Sequence, residues 1–71
     1  MSKLIMEIIL NGTPHQVVQD CNITTLVEQL ELTGKRLAIE VNLEIIPRSQ
    51  FNSHYLSSGD RVEIVHAIGG G

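Results

Sequence analysis

The residue types with the clearest chemical meaning stand at the end of the chain, which reads Ile68-Gly69-Gly70-Gly71. At ordinary glycine usage, three consecutive glycines at that place arise about once in 3,000 chains. Glycine packs no side chain and is costly to order, so the run adds nothing to a core. A phosphate-cradling loop needs a following helix whose amides point at the anion, and none follows Gly71. The expected use is a narrow arm presenting the α-carboxylate of Gly71. A carboxylate is a poor electrophile until it is activated, for example as an acyl-adenylate, and it must then enter another protein's active site. Gly69 and Gly70 carry no side chains to obstruct a narrow channel, and they permit the extended or unusual torsions of a bound tail.

Other reactive residues are scattered. Cys21, the single cysteine, lies between Asp20 and Asn22, a setting with nothing to stabilise a thiolate; its expected role is that of a small apolar residue. His15, His54 and His66 have no cysteine or carboxylate at metal-ligand spacing. His66 lies nearest the arm and is expected to be a plain strand residue. Glu28, Glu31, Glu40 and Glu44 read as solvated faces. No Ser/His/Asp or Cys/His set is evident, so neither catalytic residues nor a metal site are expected, and the chain is not expected to be an enzyme.

The elements that must position the arm fit into 71 residues, enough for one domain with a thin core. With no disulfide pair available, stability must come from aliphatic packing, and Ile, Leu and Val supply 23 residues. A net charge of −3, with only Lys3, Lys35, Arg36, Arg48 and Arg61 as cations, gives no basic stripe for nucleic acid. Glu7 breaks the apolar run Leu4–Leu10, leaving neither a membrane span nor a secretory signal core. A cytoplasmic domain is the expectation.

Lys3–Leu10 and His15–Asp20 read as two strands joined by Asn11-Gly12, a strong hairpin signal. Asn22–Thr33 then changes period. Thr25 and Glu28 fit a capping box, Leu26, Val27 and Leu30 share one face, and Gly34 is placed to end the helix in a left-handed conformation. The helix must lie across the hairpin to bury that face. Leu37–Asn42 is a third strand, with Leu37, Ile39 and Val41 on one side. Ile45-Ile46 reads as a brief fourth, stopped by Pro47. Arg48–Ser58 is expected to be a loop holding a helical turn or two, Ser58-Gly59-Asp60 a turn, and Arg61–Ala67 the last strand.

In the first strand Leu4, Met6, Ile8 and Leu10 share one face, while Ile5 and Ile9 flank Glu7 on the other. Val65 is similarly opposed to Val62 and Ile64 in the last strand. One helix covers one face of a small sheet, so either aliphatic surface stays exposed as a partner patch or the 42–58 loop folds over it.

The β-β-α-β-β order ending in Gly-Gly resembles the ubiquitin-like β-grasp fold, an α+β architecture with a mixed four- to five-stranded sheet packed on one helix. More narrowly, the chain resembles the sulfur-carrier family of thiamine thiazole biosynthesis. The matching residues are Asn11-Gly12, Thr25-Leu26 with Leu30, Ala38-Ile39-Glu40-Val41-Asn42 and Ile46-Pro47-Arg48. They continue through Leu56, Gly59-Asp60-Arg61-Val62-Glu63-Ile64-Val65 and Ile68 to Gly71. The match covers about Met6 to the end. It implies a β-grasp domain over residues 1–67 and an arm over 68–71. It also implies that an E1-like adenylating enzyme uses ATP to activate Gly71, with no cofactor resident on the chain itself. A cysteine-derived persulfide would convert the adenylate to a thiocarboxylate, and thiazole synthase would take the sulfur. Docking candidates are Ile68, Val65, Ile9 and Ile5. The same arm would suit the small subunit of molybdopterin synthase, or a modifier joined to lysine; a plain interaction module would not need it.

Overall fold

The computed structural model describes residues 4–66. Expectations that fall on Lys3, Ala67, Ile68 and Gly69 to Gly71 lie outside the described residues. Five strands form one sheet: β1 (Ile5–Leu10), β2 (Thr13–Val18), β3 (Leu37–Val41), β4 (Glu44–Ile45) and β5 (Arg61–His66), in the order β2-β1-β5-β3-β4. β1 and β5 are parallel, and every other pairing is antiparallel. One helix, α1 (Ile23–Gln29), lies on one face of the sheet. The mixed five-stranded sheet with one helix is the α+β architecture expected from the sequence.

Both hairpins turn in two residues with positive φ at each. Asn11 and Gly12 (φ 49° and 83°) join β1 to β2, as the Asn-Gly pair predicts. Asn42 and Leu43 (φ 51° and 71°) join β3 to β4. Positive φ at both central positions defines the type I′ turn, whose twist matches that of the flanking strands. The second turn carries leucine where glycine would relieve the strain, so its sequence does not announce it. β4 is accordingly Glu44–Ile45, and Ile46 leaves the strand to become buried.

The helix differs from expectation at both ends. Its cap is Asn22 and not Thr25: Asn22 Oδ1 accepts the Thr25 N–H at 2.8 Å, and Thr25 lies inside the first turn. Starting there lets Ile23 join Leu26 and Val27 in the core, and asparagine is at least as good a cap as threonine. At the other end the left-handed residue is Glu31 (φ 60°), not Gly34. The Glu31 N–H donates to the Glu28 carbonyl and the Leu32 N–H to that of Val27, the paired bonds of a Schellman motif. Ending there turns Leu32 back against the core, while Gly34 (φ 84°) serves the following turn, and no basic residue stands in the last helical turn.

Met6, Ile8, Val17, Ile39, Val41, Val62 and Ile64 face the helix, and Ile46, Phe51 and Leu56 from the long loop close the same core. Ile8, Ile23, Leu26 and Val62 are fully excluded from water. Each such burial stabilises by about 1.5–3 kcal/mol before entropy is counted. Leu4 precedes β1 and is exposed, so it does not share the inward face of Met6 and Ile8. The loop contains one 3-10 turn, Arg48–Gln50, as expected. Since its apolar residues go to the helix side, the opposite face keeps Ile5 and Val65 at 56% and 60% exposure.

Candidate functional site

In sequence the glycine run, residues 69–71, follows the end of β5, the middle strand of the five. Its alternation buries Val62 and Ile64 and leaves Arg61, Glu63 and Val65 on the open face. On one side β3 pairs with it from Val41↔Val62 to Leu37↔His66, all but its first residue. On the other side β1 pairs only with its beginning, at Ile9↔Arg61 and Leu10↔Val62, before turning away at Asn11.

Two asparagine side chains complete what the main chain leaves open. Asn11 Oδ1 accepts the Ile64 N–H at 2.9 Å, and Asn11 Nδ2 donates to the Ile64 carbonyl at 3.4 Å. At the start of β5, Asn42 Oδ1 accepts the Arg61 N–H at 3.0 Å. Asn42 Nδ2 donates to Asp60 Oδ1, while Asp60 Oδ2 accepts the Ser57 N–H. Asn11 was legible as a turn residue, whereas Asn42 read as the end of the third strand and instead opens the β3–β4 turn; the grip of either on β5 was not legible, because it depends on which strand lies alongside.

The docking candidates separate in space. Ile9 lies opposite Arg61 and therefore shares the open face with Val65, four positions further along β5. Ile5 pairs with Val18 at the other end of β1. Extending the parallel register sets Ile5 eight positions from Val65, roughly 26 Å at strand rise. Val65 pairs with exposed Ala38, and Ile9 is half-buried between its neighbours. Val65 and Ile9 thus belong to the end of the sheet at which β5 finishes, and Ile5 does not. Ile68 and the three glycines lie outside the described residues.

Cys21 follows β2 at the end of the sheet opposite the end of β5, and only 1% of it is exposed. Its Sγ donates to the Asn22 carbonyl at 3.3 Å, and burial pushes its thiol up from the ordinary range, which opposes thiolate chemistry. His15 Nε2 contacts Gln29 Oε1 at 3.3 Å, and His66 is an exposed strand residue. Among the described residues no three His, Cys, Asp or Glu side chains group as a metal site, and no helix is long and apolar enough to cross a membrane. Arg48, to which the sequence assigned no role, donates from Nη2 to the Lys35 carbonyl at 3.0 Å, tying the 3-10 turn to the segment before β3. An open groove of about 260 Å³ beside this contact is lined by Val27, Leu32, Leu37 and Phe51 among others, and by no candidate arm or docking residue.

A helix laid on a mixed sheet whose central last strand leads into a glycine-rich terminus defines a ubiquitin-like β-grasp protein. The ThiS family model matches residues 8–71, and the chain belongs to that family of sulfur carriers. It is similar to the sulfur carrier protein ThiS of Escherichia coli K12, at 30% identity over 66 residues, 93% of this chain and all of that one. A thiazole synthase of Paramagnetospirillum magneticum is 33% identical over 66 residues, 93% of this chain but 20% of that longer one. The crystal structure of the thiamine biosynthesis protein ThiS from Geobacter metallireducens superposes with a TM-score of 0.80 at 30% identity, covering 93% of this chain and all of that one.

Proposed function

We propose that this protein carries sulfur on its C-terminal glycine for the thiazole ring of thiamine. The observation that carries the reading is a family match extending through Gly71, on a fold whose central strand leads into the arm. An E1-like partner activates the Gly71 carboxylate with ATP, forming the acyl-adenylate and releasing pyrophosphate. A cysteine-derived persulfide displaces AMP to form an acyl disulfide, and a second thiol cleaves its S–S bond, leaving the thiocarboxylate on Gly71 and a disulfide on the donor. Thiazole synthase then takes the sulfur. The catalytic groups and the ATP site belong to the partners, and the work is cytoplasmic. Gly69 and Gly70 give the arm access, and Ile68, Val65 and Ile9 form the contact surface around its root. Relatives named thiazole synthase that contain a stretch like this chain favour the thiamine pathway over the molybdopterin one.

The test is mass spectrometry of the tryptic peptide Val62–Gly71 after incubation with the adenylating enzyme, ATP and a sulfur source. Exchange of oxygen for sulfur adds about 16 mass units, nominally equal to one oxidation, but this peptide holds no Met or Cys. A thiol-alkylatable gain on Gly71 is expected. No gain, with a partner active on another carrier, refutes the reading.

A further inference from the structure

β5 faces a structural problem at the place where the arm begins. The last main-chain bond from the β1 side to β5 is Asn11 N–H to the Val62 carbonyl, at 2.9 Å. Were the parallel ladder to continue, the Ile64 N–H would donate to the main-chain carbonyl of residue 11, and the N–H of residue 13 would donate to the Ile64 carbonyl. Neither bond can form, because the chain reverses at Asn11-Gly12 and Thr13 begins β2. The Asn11 side-chain amide supplies both missing groups, its Oδ1 taking the Ile64 N–H and its Nδ2 reaching the Ile64 carbonyl. It is a surrogate for the next stretch of strand.

We infer that Asn11 is a positioning residue for the carrier reaction, holding the arm's root on the side that β1 vacates. Without the amide, β5 beyond Val62 keeps only its β3 partner, through Ala38↔Val65 and Leu37↔His66. Ile64 is then free to lift on one side, two residues before β5 ends at His66. A partner that must thread the arm into a narrow site binds the aligned fraction of the chain, so its apparent affinity falls with that fraction. The inference rests on the carrier reading for its functional half and on the two hydrogen bonds for its structural half.

The informative variant is Asn11→Gly, since glycine adopts the positive φ of this turn without strain and removes the amide, its extra freedom in the unfolded chain being a general stability cost that the Ile23→Val control matches. Amide hydrogen exchange is measured on the full chain, together with steady-state adenylation by the ATP-dependent partner enzyme, read as pyrophosphate release. Losing one to two net hydrogen bonds should lower protection at Ile64 by about five- to thirtyfold. The KM for the carrier should rise about threefold or more, with kcat unchanged. Asn11→Asp, which keeps the acceptor for the Ile64 N–H and tolerates positive φ, should recover part of the affinity. Ile23→Val, a core change on the helix with a similar loss of stability, should leave KM alone.

An unmoved KM in Asn11→Gly, despite lost protection, overturns the positioning role. Unchanged protection at Ile64 overturns the contact itself. An equal KM rise in Ile23→Val reduces the effect to general stability and also overturns the inference. A wild-type chain that the active enzyme never adenylates refutes the carrier reading and the functional half with it, whereas normal wild-type turnover confines any failure to Asn11.

Discussion

The β3–β4 turn allows a stability prediction in which two adjacent residues respond with opposite signs. Leu43 has φ 71° and is 86% exposed, so its side chain buries almost nothing while its backbone sits in the left-handed region. That region costs an L-residue with a Cβ roughly 1–2 kcal/mol. Leu43→Gly removes the cost, and against it stands glycine's greater freedom in the unfolded chain, about 0.5–1 kcal/mol. The net expectation is a gain of about 0.5–1 kcal/mol. At about 4–8 °C per kcal/mol for a domain of this size, Tm should rise by about 2–8 °C. Asn42 has φ 51° and by backbone alone looks equally replaceable. Its amide, however, holds the Arg61 N–H and the Asp60 carboxylate. Asn42→Gly loses both bonds and should destabilise by about 1–3 kcal/mol. The assay is urea and thermal unfolding followed by circular dichroism, with the urea m-value held constant as evidence that only stability moved. Leu43→Gly lowering Tm, or Asn42→Gly raising it, would refute the account of this turn.

Glu31→Gly should stabilise in the same way, because Glu31 occupies the left-handed position of the Schellman motif; thermal unfolding checks it. Leu26→Ala, at a fully buried helix position, should cost about 2–5 kcal/mol, measurable as a lower urea midpoint. Cys21 should react slowly with iodoacetamide in the folded chain and quickly in urea. Because burial raises its thiol above the unfolded value, the folded state resists deprotonation. Stability is therefore full below the unfolded thiol range and declines as pH rises through it toward the folded value, a decline that Cys21→Ser removes in pH-dependent unfolding. Val65→Asp should leave Tm nearly unchanged and weaken association with the adenylating enzyme, while Ile5→Asp at the far end of the sheet should not weaken it; titration calorimetry separates the two.

Much of the architecture was legible because its signals are local. Alternation marked Val62 and Ile64 as inward and Val65 as outward, and Asn11-Gly12 marked a hairpin. Whether the outward aliphatics stay exposed or the 42–58 loop covers them was open in the sequence, and the structure leaves Ile5 and Val65 exposed. Tertiary structure decided what depends on neighbours. The parallel register of β1 against β5 separated Ile5 from Val65, although both read alike as outward aliphatics. Capping competed with core burial, and admitting Ile23 to the core moved the helix start to Asn22. A turn with leucine at positive φ carries no residue signature, because its strain is offset by the pairing of the strands it joins. Asn11 announces a turn in sequence and Asn42 does not, yet the work of both on β5 arises only when that distant strand is laid beside them. A hydrogen bond spanning 53 residues has no local periodicity to betray it.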